Sequence, residues 1–188
     1  MEFIRSIRSY NCKSYLRQIL LAEDQEDIDI KNDRYSLNGL SIITHVSQAI
    51  GLRLFGLGPS FTPCSGIKQL KDLFDQNTFW ATNRSIERIK SMLKNSTVIV
   101  TLWEGKKIIG FGRATSDGVY RTVLWDIIIN KKMQGNGLGR IVVDTLLKSP
   151  KIKNTEKIYL MTTNHIDFYK KIGFKKISNQ NLMLLQNK

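Results

Sequence analysis

A glycine-rich turn carries the most chemical information in this 188-residue sequence. It follows an apolar strand, begins an amphipathic helix and has the sequence Gln134-Gly135-Asn136-Gly137-Leu138-Gly139-Arg140. Glycine permits positive φ and a close approach of a ligand to the main chain. The first N–H groups of a helix have no internal partner, and the helix dipole adds partial positive charge there. The turn therefore predicts a phosphate or pyrophosphate site, with a plain tight turn as the alternative.

Three kinds of phosphate site can be compared with this turn. A P-loop needs G-x-x-x-x-G-K-[ST], which the sequence does not contain. A dinucleotide fold needs G-x-G-x-x-G directly after a strand in a βαβ unit, whereas this spacing is G-x-G-x-G after Lys131-Lys132-Met133. The third kind is a loop for the pyrophosphate of coenzyme A, and nothing in the spacing argues against it.

Helices and strands that would position the turn are visible on both sides of it. Apolar residues recur at helical spacing at Ile67, Leu70, Leu73 and Phe74, and at Ile86, Ile89, Met92 and Leu93. Ser85 is the expected N-cap of the second helix. Strand-like runs at 97–103, 107–115 and 121–130, separated by short glycine turns, predict an antiparallel meander.

After the turn we expect a helix, a strand at 158–162, a short helix at 165–171 and two more short strands. The last of these is Leu182-Met183-Leu184-Leu185. The pattern predicts an α/β fold of mixed (α+β) type, with a central mixed sheet in which the meander is followed by β-α-β-α-β. Composition changes near residue 60, so residues 1–60 are interpreted as an N-terminal extension of unknown role and 61–188 as the domain.

Charge is concentrated in the second half of the chain. Residues 1–94 carry 13 basic and 10 acidic side chains, and residues 95–188 carry 16 and 6, which leaves +10 of the net +13 in the second half. Such a field attracts anions, including nucleic acid, an acidic membrane surface or a phosphorylated ligand, although it can also serve solubility alone.

Several function classes are disfavoured by composition. Two cysteines without a C-x-x-C pair and only two histidines argue against a disulfide scaffold, a metal site and a Ser-His-Asp triad. The longest apolar stretch, 40–57, contains polar and charged residues and falls short of a membrane span. We therefore expect no metal and no membrane partner.

Two motifs resemble those of the GNAT superfamily of N-acyltransferases. Gln134-Gly135-Asn136-Gly137-Leu138-Gly139 after the strand ending Trp125-Asp126-Ile127-Ile128-Ile129 is similar to its acyl-CoA motif. Phe168-Tyr169-Lys170-Lys171-Ile172-Gly173-Phe174 is similar to its F-Y-x-x-x-G-F helix end. The resemblance covers about residues 66–186. Phe79-Trp80-Ala81 and Trp125-Asp126 further resemble the cyanobacterial and plastid-encoded branch, some members of which acetylate arylalkylamines such as serotonin.

The resemblance implies acetyl-CoA as co-substrate and assigns residues to it. The main chain of Ile127, Ile128 and Ile129 would pair with the pantetheine arm, and the turn from Gln134 to Gly139 would bind the pyrophosphate. Lys131, Lys132 and Arg140 could add positive charge near the phosphates. Asn164, at a strand–helix junction, would hydrogen-bond the pantetheine or cap the following helix.

The resemblance also implies catalytic roles for two side chains. Tyr169 would donate a proton to the departing thiolate. An amine with a pKa near 10 must lose a proton before it attacks, and Asp126 is the candidate base, with an orienting role or a water relay as alternatives. Because alternate strand residues share a face, Asp126 is expected beside Leu124 and Ile128.

Phe79, Trp80 and Arg84 are the candidate acceptor contacts, with core packing as the alternative for the aromatic rings. The predicted function is acetyl transfer to a primary amine, on a small arylalkylamine or on a protein lysine or N-terminus. A basic nucleic-acid-associated module and a CoA-binding sensor without activity are the alternatives, and the former lacks a zinc-finger, helix-turn-helix or RNP signature. The expected location is the cytoplasm, with the plastid stroma as alternative, and a homodimer remains open.

Overall fold

The computed structural model describes residues 10–11, 40–46, 57–58 and 63–186. In this part of the chain six strands form one sheet in sequence order. They are β1 (Tyr10–Asn11), β2 (Leu40–Val46), β3 (Val98–Glu104), β4 (Lys107–Ser116), β5 (Arg121–Ile129) and β6 (Lys157–Leu160). The helices are α1 (Pro63–Asn77), α2 (Ile86–Lys94), α3 (Leu138–Leu147) and α4 (Ile166–Lys170), and a single 3₁₀ turn covers Lys131–Met133.

The sheet is mixed, as the sequence predicts. Strands β3, β4 and β5 form the antiparallel meander, and β6 then pairs with β5 in parallel. The crossover between β5 and β6 contains α3, which a parallel connection requires. The predicted α/β fold class is confirmed. Strand β2 lies upstream of the predicted domain boundary at residue 60 and pairs with β3; the boundary itself stays a prediction.

Helices cover both faces of the sheet. Leu70, Leu73 and Phe74 of α1, with Ile89 and Leu93 of α2, pack on one face in a cluster that includes Phe111 and Ile128. Residues Leu138, Ile141, Val142, Val143 and Leu146 of α3 pack on the other face in a cluster that includes Leu124 and Ile129. The predicted N-cap is confirmed, because the Ser85 hydroxyl accepts a hydrogen bond from the Arg88 main chain.

The prediction that Asp126 shares a face with both Leu124 and Ile128 is wrong for Leu124, because a β-bulge interrupts the alternation of β5. Phe111 pairs with Ile128 and Arg113 with Trp125, so that Asp126 and Ile127 together lie opposite Gly112. Asp126 has a φ of 51°, in the left-handed region that costs energy for a non-glycine residue. An inserted residue shifts the phase of a strand by one. Leu124 and Ile128 consequently belong to clusters on opposite faces of the sheet.

The two strands predicted after α4 are absent from the described residues 171–186. Leu182, Met183, Leu184 and Leu185 are 78–90% exposed and have no partner strand there. Four consecutive apolar residues lack the period of two that gives a strand one buried face. The run therefore does not specify how a strand here would pair with a neighbouring strand. The prediction of a last strand at these residues is therefore wrong for this structure.

A buried histidine on β2 makes the stability of this fold depend on pH. Burial lowers the pKa of His45 from 6.5 to about 4, although a hydrogen bond with the Leu57 main chain opposes the shift. Below pH 6.5 the unfolded chain binds a proton that the folded chain binds only near pH 4, so acid favours unfolding across this window. Each pKa unit corresponds to about 1.4 kcal/mol, which gives a loss of about 3 kcal/mol by pH 4.

We expect His45→Gln to remove this part of the acid sensitivity, because glutamine keeps a hydrogen-bonding side chain and does not titrate. Denaturant unfolding of both proteins at pH 7, 6 and 5 measures the difference. The free energy of unfolding should fall more steeply toward pH 5 in the unmodified protein. Parallel curves for the two proteins would show that His45 is not responsible.

Candidate active site

An opening between two parallel strands is the main feature of the candidate site. The pairing of β5 with β6 runs from Arg121–Lys157 to Leu124–Leu160 and then stops. Strand β5 continues to Ile129, so its residues 125–129 have no strand on that side in the described structure. This edge includes the main chain of Ile127, Ile128 and Ile129. An unpaired strand edge presents N–H and C=O groups that an extended ligand can bind.

The glycine turn closes one end of this edge. Gln134 Nε2 donates a hydrogen bond to the Ile129 carbonyl at 3.0 Å, and Asn136 Nδ2 donates to the Met133 carbonyl at 3.2 Å. The first bond attaches the turn to the end of β5, and the second attaches it to the 3₁₀ turn. The 3₁₀ turn in front of it is also anchored, because Asn77 Oδ1 accepts from the Lys131 main chain. The side chains of Lys131 and Lys132 are exposed beside the turn.

The backbone of this turn has the geometry that an anion requires. Gly135 and Gly137 have φ values of 83° and 73°, and a Cβ at either position would meet no atom within 4 Å. Gly137 is the N-cap of α3 and supplies no side-chain cap, and Leu138 begins the helix. Open space in front of a helix N-terminus without a side-chain cap suits a phosphate or diphosphate group. The residues present therefore fit the pyrophosphate of coenzyme A.

Helix α4 packs against the start of α3 through the second motif. A Cβ on Gly139 would lie 3.3 Å from Phe168 Cζ, so the small residue permits this close approach. The Tyr169 ring makes edge contacts with Phe168 and Phe174, with centroids 4.9 and 5.9 Å apart. Tyr169 also packs against the buried cluster that contains Leu124, and Leu160 packs against the same cluster. The tyrosine therefore lies on the face of the sheet that α3 covers.

Burial gives Tyr169 a proton that is hard to remove. Removal of the phenol from water disfavours its anion and raises the pKa of Tyr169 to about 12. At neutral pH the hydroxyl is therefore protonated and can act as a proton donor.

Asn164 does not cap α4. The N-cap residue of this helix is His165, which has no side-chain cap hydrogen bond, and the His165 main chain donates to the Thr162 hydroxyl instead. Asn164 is exposed one residue earlier. The predicted capping alternative is therefore wrong, because the helix begins one residue later than that role requires.

The carboxylate of Asp126 is held between two guanidinium groups. Arg84 Nη2 donates to Oδ1 at 3.2 Å and Arg113 Nε donates to Oδ2 at 2.7 Å. The carboxylate is only 6% exposed, so this ion pair is largely removed from water. The bulge that turns Asp126 toward the α1–α2 side of the sheet makes both contacts possible. We call these three residues the Arg–Asp–Arg cluster.

Sequence reasoning found Arg84 and Asp126 but missed Arg113. Arg113 pairs directly with Trp125 across β4 and β5, and its guanidinium lies 5.5 Å from the Trp125 ring centroid. Counting residue pairs outward from the turn between β4 and β5 would have placed Arg113 opposite Trp125. Its approach to Asp126 depends on the bulge, which the sequence does not reveal.

The aromatic residues between α1 and α2 are on the surface. Phe79 and Trp80 are 71% and 51% exposed and contact each other edge-on at 5.0 Å. Core packing, the alternative interpretation from the sequence, therefore does not account for them. Arg84, in the same connection, lies 4.9 Å from the ring centroid of Phe74.

Within the described residues, no group of three or more His, Cys, Asp or Glu side chains could hold a metal ion. None of the helices in that part of the chain is both long and apolar enough to cross a bilayer.

Two features define the class of protein. Two parallel strands of the mixed sheet separate, and a glycine turn suited to a diphosphate lies at the end of the opening. Such a site can bind an extended, phosphate-bearing ligand along a strand edge. The comparison with known families is consistent with this class. Residues 67–174 match the acetyltransferase (GNAT) family, and the chain belongs to that family.

Individual relatives support the same assignment. The N-acetyltransferase ycf52 of Pyropia yezoensis, described as uncharacterized, is 37% identical over 98 residues, which cover 50% of this chain and 56% of that protein. The chloroplastic GCN5-related N-acetyltransferase 2 of Arabidopsis thaliana is 30% identical over 113 residues, covering 49% and 44%. The chain thus matches only about half the length of these relatives. The resemblance to plastid proteins is confirmed.

Solved structures support the fold. A GNAT family acetyltransferase from Streptococcus pneumoniae superposes with a TM-score of 0.60 at 18% identity, covering 79% of this chain and 98% of that one.

Proposed function

We propose that this chain is an acetyl-CoA-dependent N-acetyltransferase that transfers an acetyl group to a primary amine. The observation that carries the proposal is the continuous path from the open edge of β5 to the glycine turn. Acetyl-CoA has an extended pantetheine arm joined to a diphosphate, and it supplies an activated acyl thioester when bound. The open edge and the turn match these two parts in that order.

Binding of the co-substrate is assigned to main-chain groups. The amides of the turn, from Gln134 to Gly139, hold the diphosphate. The main-chain groups of residues 127–129 that face away from β4 pair with the amides of the arm. Lys131, Lys132 and Arg140 add positive charge near the phosphates, where flexible side chains contribute through the field as well as through contacts. Asn164 stays proposed as a further polar contact to the arm.

Proton donation is assigned to Tyr169. A thiolate that leaves an acyl group needs a proton, and a phenol that remains protonated at neutral pH can supply one. Its packing against the core cluster that contains Leu124, the last residue of β5 paired with β6, supports this role. The side-chain ring is fixed by Phe168 and Phe174, which limits the orientations of its hydroxyl.

Two roles are proposed for Asp126: the base that deprotonates the amine, and a residue that positions its neighbours. The contacts of Asp126 favour the positioning role. Both carboxylate oxygens already accept hydrogen bonds from guanidinium groups. A carboxylate bound in this way orients Arg84 and Arg113 and holds the bulge on β5. The amine proton is then released through water in the opening.

Asp126→Asn tests these two roles through the pH profile. We expect kcat/KM to fall about 10-fold or more at every pH between 7 and 9.5, because the loss of the ion pairs does not depend on the charge of the amine. Steady-state kinetics on a variant shown to be folded measures the profile. If the loss becomes smaller toward pH 9.5, where more of the amine is already neutral, Asp126 is the base.

A panel of amines tests the proposed function. The full chain is mixed with acetyl-CoA and single amines, including arylalkylamines, lysine peptides and peptides with a free N-terminus, and release of free CoA is followed. We expect release that depends on both the amine and the enzyme. Binding of acetyl-CoA without release for any amine would support a sensor. Tight binding of unmodified RNA with a steep dependence on salt would support the nucleic-acid alternative.

The cellular location and assembly stay proposals. The chloroplastic Arabidopsis relative supports the plastid stroma, the alternative to the cytoplasm, as the place of action. A homodimer remains a proposal that sedimentation can test.

A further inference from the structure

Two cations and one anion meet on β5 just beyond the point where β5 and β6 separate. The Arg–Asp–Arg cluster combines Arg84 from the α1–α2 connection, Arg113 from β4 and Asp126 from β5. Asp126 lies two residues beyond Leu124, where β5 and β6 separate. One carboxylate neutralises one guanidinium, so the cluster retains one positive charge beside the opening.

Among the described residues, Asp126 is the one acid that is hydrogen-bonded or ion-paired to Arg84 or Arg113. Asp75 contacts the α1–α2 connection, since its carboxylate accepts a hydrogen bond from the Asn83 main chain. Asp75 forms its own ion pair with Lys71. Glu87 is fully exposed in the first turn of α2, beside Lys90.

The guanidinium groups keep donors for a further partner. Arg113 donates to a protein acceptor only from Nε in the described part of the chain, so its two Nη groups remain available. Arg84 uses Nη2 for Asp126 and Nη1 for a weak contact to the Met92 sulfur. The two side chains are 15% and 28% exposed, so each is partly buried but accessible to a ligand.

Ring contacts and the shared carboxylate hold both guanidinium groups in the cluster. Arg84 lies over the Phe74 ring and Arg113 over the Trp125 ring, and the shared carboxylate fixes the distance between them. Guanidinium groups that are held in place lose little entropy when they bind an anion, and they suit the paired oxygens of a carboxylate or phosphate. A site built for a purely cationic amine would place carboxylates, not two arginines, at this position.

We infer that the acceptor carries an anionic oxygen group, a carboxylate or a phosphate, near the amine that is acetylated, and that Arg84 and Arg113 bind this group. The inference rests on the proposed function and narrows its acceptor. Exposed Phe79 and Trp80 lie in the same connection as Arg84 and provide an apolar surface there. An arylalkylamine without an anionic group has no group that the two arginines could bind.

Three matched pairs of probes test the inference: tryptophan against tryptamine, O-phosphoethanolamine against ethanolamine, and a lysine peptide with flanking glutamates against the same peptide with glutamines. Binding of each to the CoA-saturated protein is measured by calorimetry, and kcat/KM is measured for each with acetyl-CoA. We expect the anionic member of at least one pair to bind 10-fold or more tightly and to react faster. The pair that responds identifies carboxylate or phosphate as the group.

Arg84→Gln should remove this preference, with a larger loss of binding and kcat/KM for the anionic member of the responding pair than for its neutral member, whereas Arg88→Gln, an exposed arginine on α2, should change neither. Equal or tighter binding of the neutral member in all three pairs would overturn the inference. The inference would also be overturned if Arg84→Gln preferred the anionic member of the pair as strongly as the unmodified protein does. Absence of CoA release with every amine would instead contradict the proposed function, and the binding measurements would still decide whether the anion subsite exists.

Discussion

Tyr169→Phe is expected to lower kcat and kcat/KM together, by about 100-fold or more, while the Kd for acetyl-CoA stays nearly unchanged. The phenol hydroxyl acts on charge that develops only during the reaction, so its removal affects the transition state and not the bound ground state. Phenylalanine keeps the ring contacts with Phe168 and Phe174, so the fold should be retained. Steady-state kinetics and a calorimetric titration of acetyl-CoA measure the two effects separately.

Tyr120→Phe is the matched control. Tyr120 lies in the exposed turn between β4 and β5, away from the opening, and loss of its hydroxyl should leave kcat unchanged. If kcat of Tyr169→Phe equals that of the unmodified protein, with acetyl-CoA saturating and chemistry shown to limit the rate, Tyr169 has no role in the mechanism.

Gly137→Glu is expected to abolish the stabilisation of the protein by acetyl-CoA. At about 100 times Kd the unmodified protein should gain roughly 2.7 kcal/mol, which is visible as an increase in Tm. A glutamate at Gly137 places a bulky anion in the open space that the diphosphate would occupy, so the two negative groups repel each other. Thermal unfolding with and without acetyl-CoA measures the gain.

Gly118→Glu controls for strain and charge. Gly118 also has a positive φ, 81°, and a Cβ there would likewise meet no atom within 4 Å. Both variants should therefore lose similar stability in the absence of ligand, and only Gly118→Glu should keep the increase in Tm. Equal increases in the two variants would refute the assignment of the phosphate-binding turn.

Local patterns were sufficient to predict most of the fold. The strands of the meander alternate clearly and are separated by glycine turns, so their positions agreed with the structure within a few residues. The N-cap at Ser85 and the helix after the glycine turn also depend on neighbouring residues alone. Such elements can be predicted from residues that are close in the sequence, without knowledge of distant contacts.

The bulge at Asp126 could not be predicted in the same way. It depends on the pairing of β5 with β4, where Gly112 lies opposite two residues. A Cβ at Gly112 would lie 2.6 Å from Val142 and 2.8 Å from Ile127, so packing from α3 also determines this geometry. Because Asp126 changes face at the bulge, the sequence did not predict its contact with Arg113.

Amide hydrogen exchange of the full chain, with and without saturating CoA, tests the central claim most directly. The account predicts that CoA slows exchange in two segments, residues 125–129 on the open edge of β5 and residues 134–140 in the glycine turn. The basic segment 148–157 should exchange at the same rate in both samples. Slowed exchange confined to residues 148–157, or no change in either predicted segment at saturation, would contradict the proposed site.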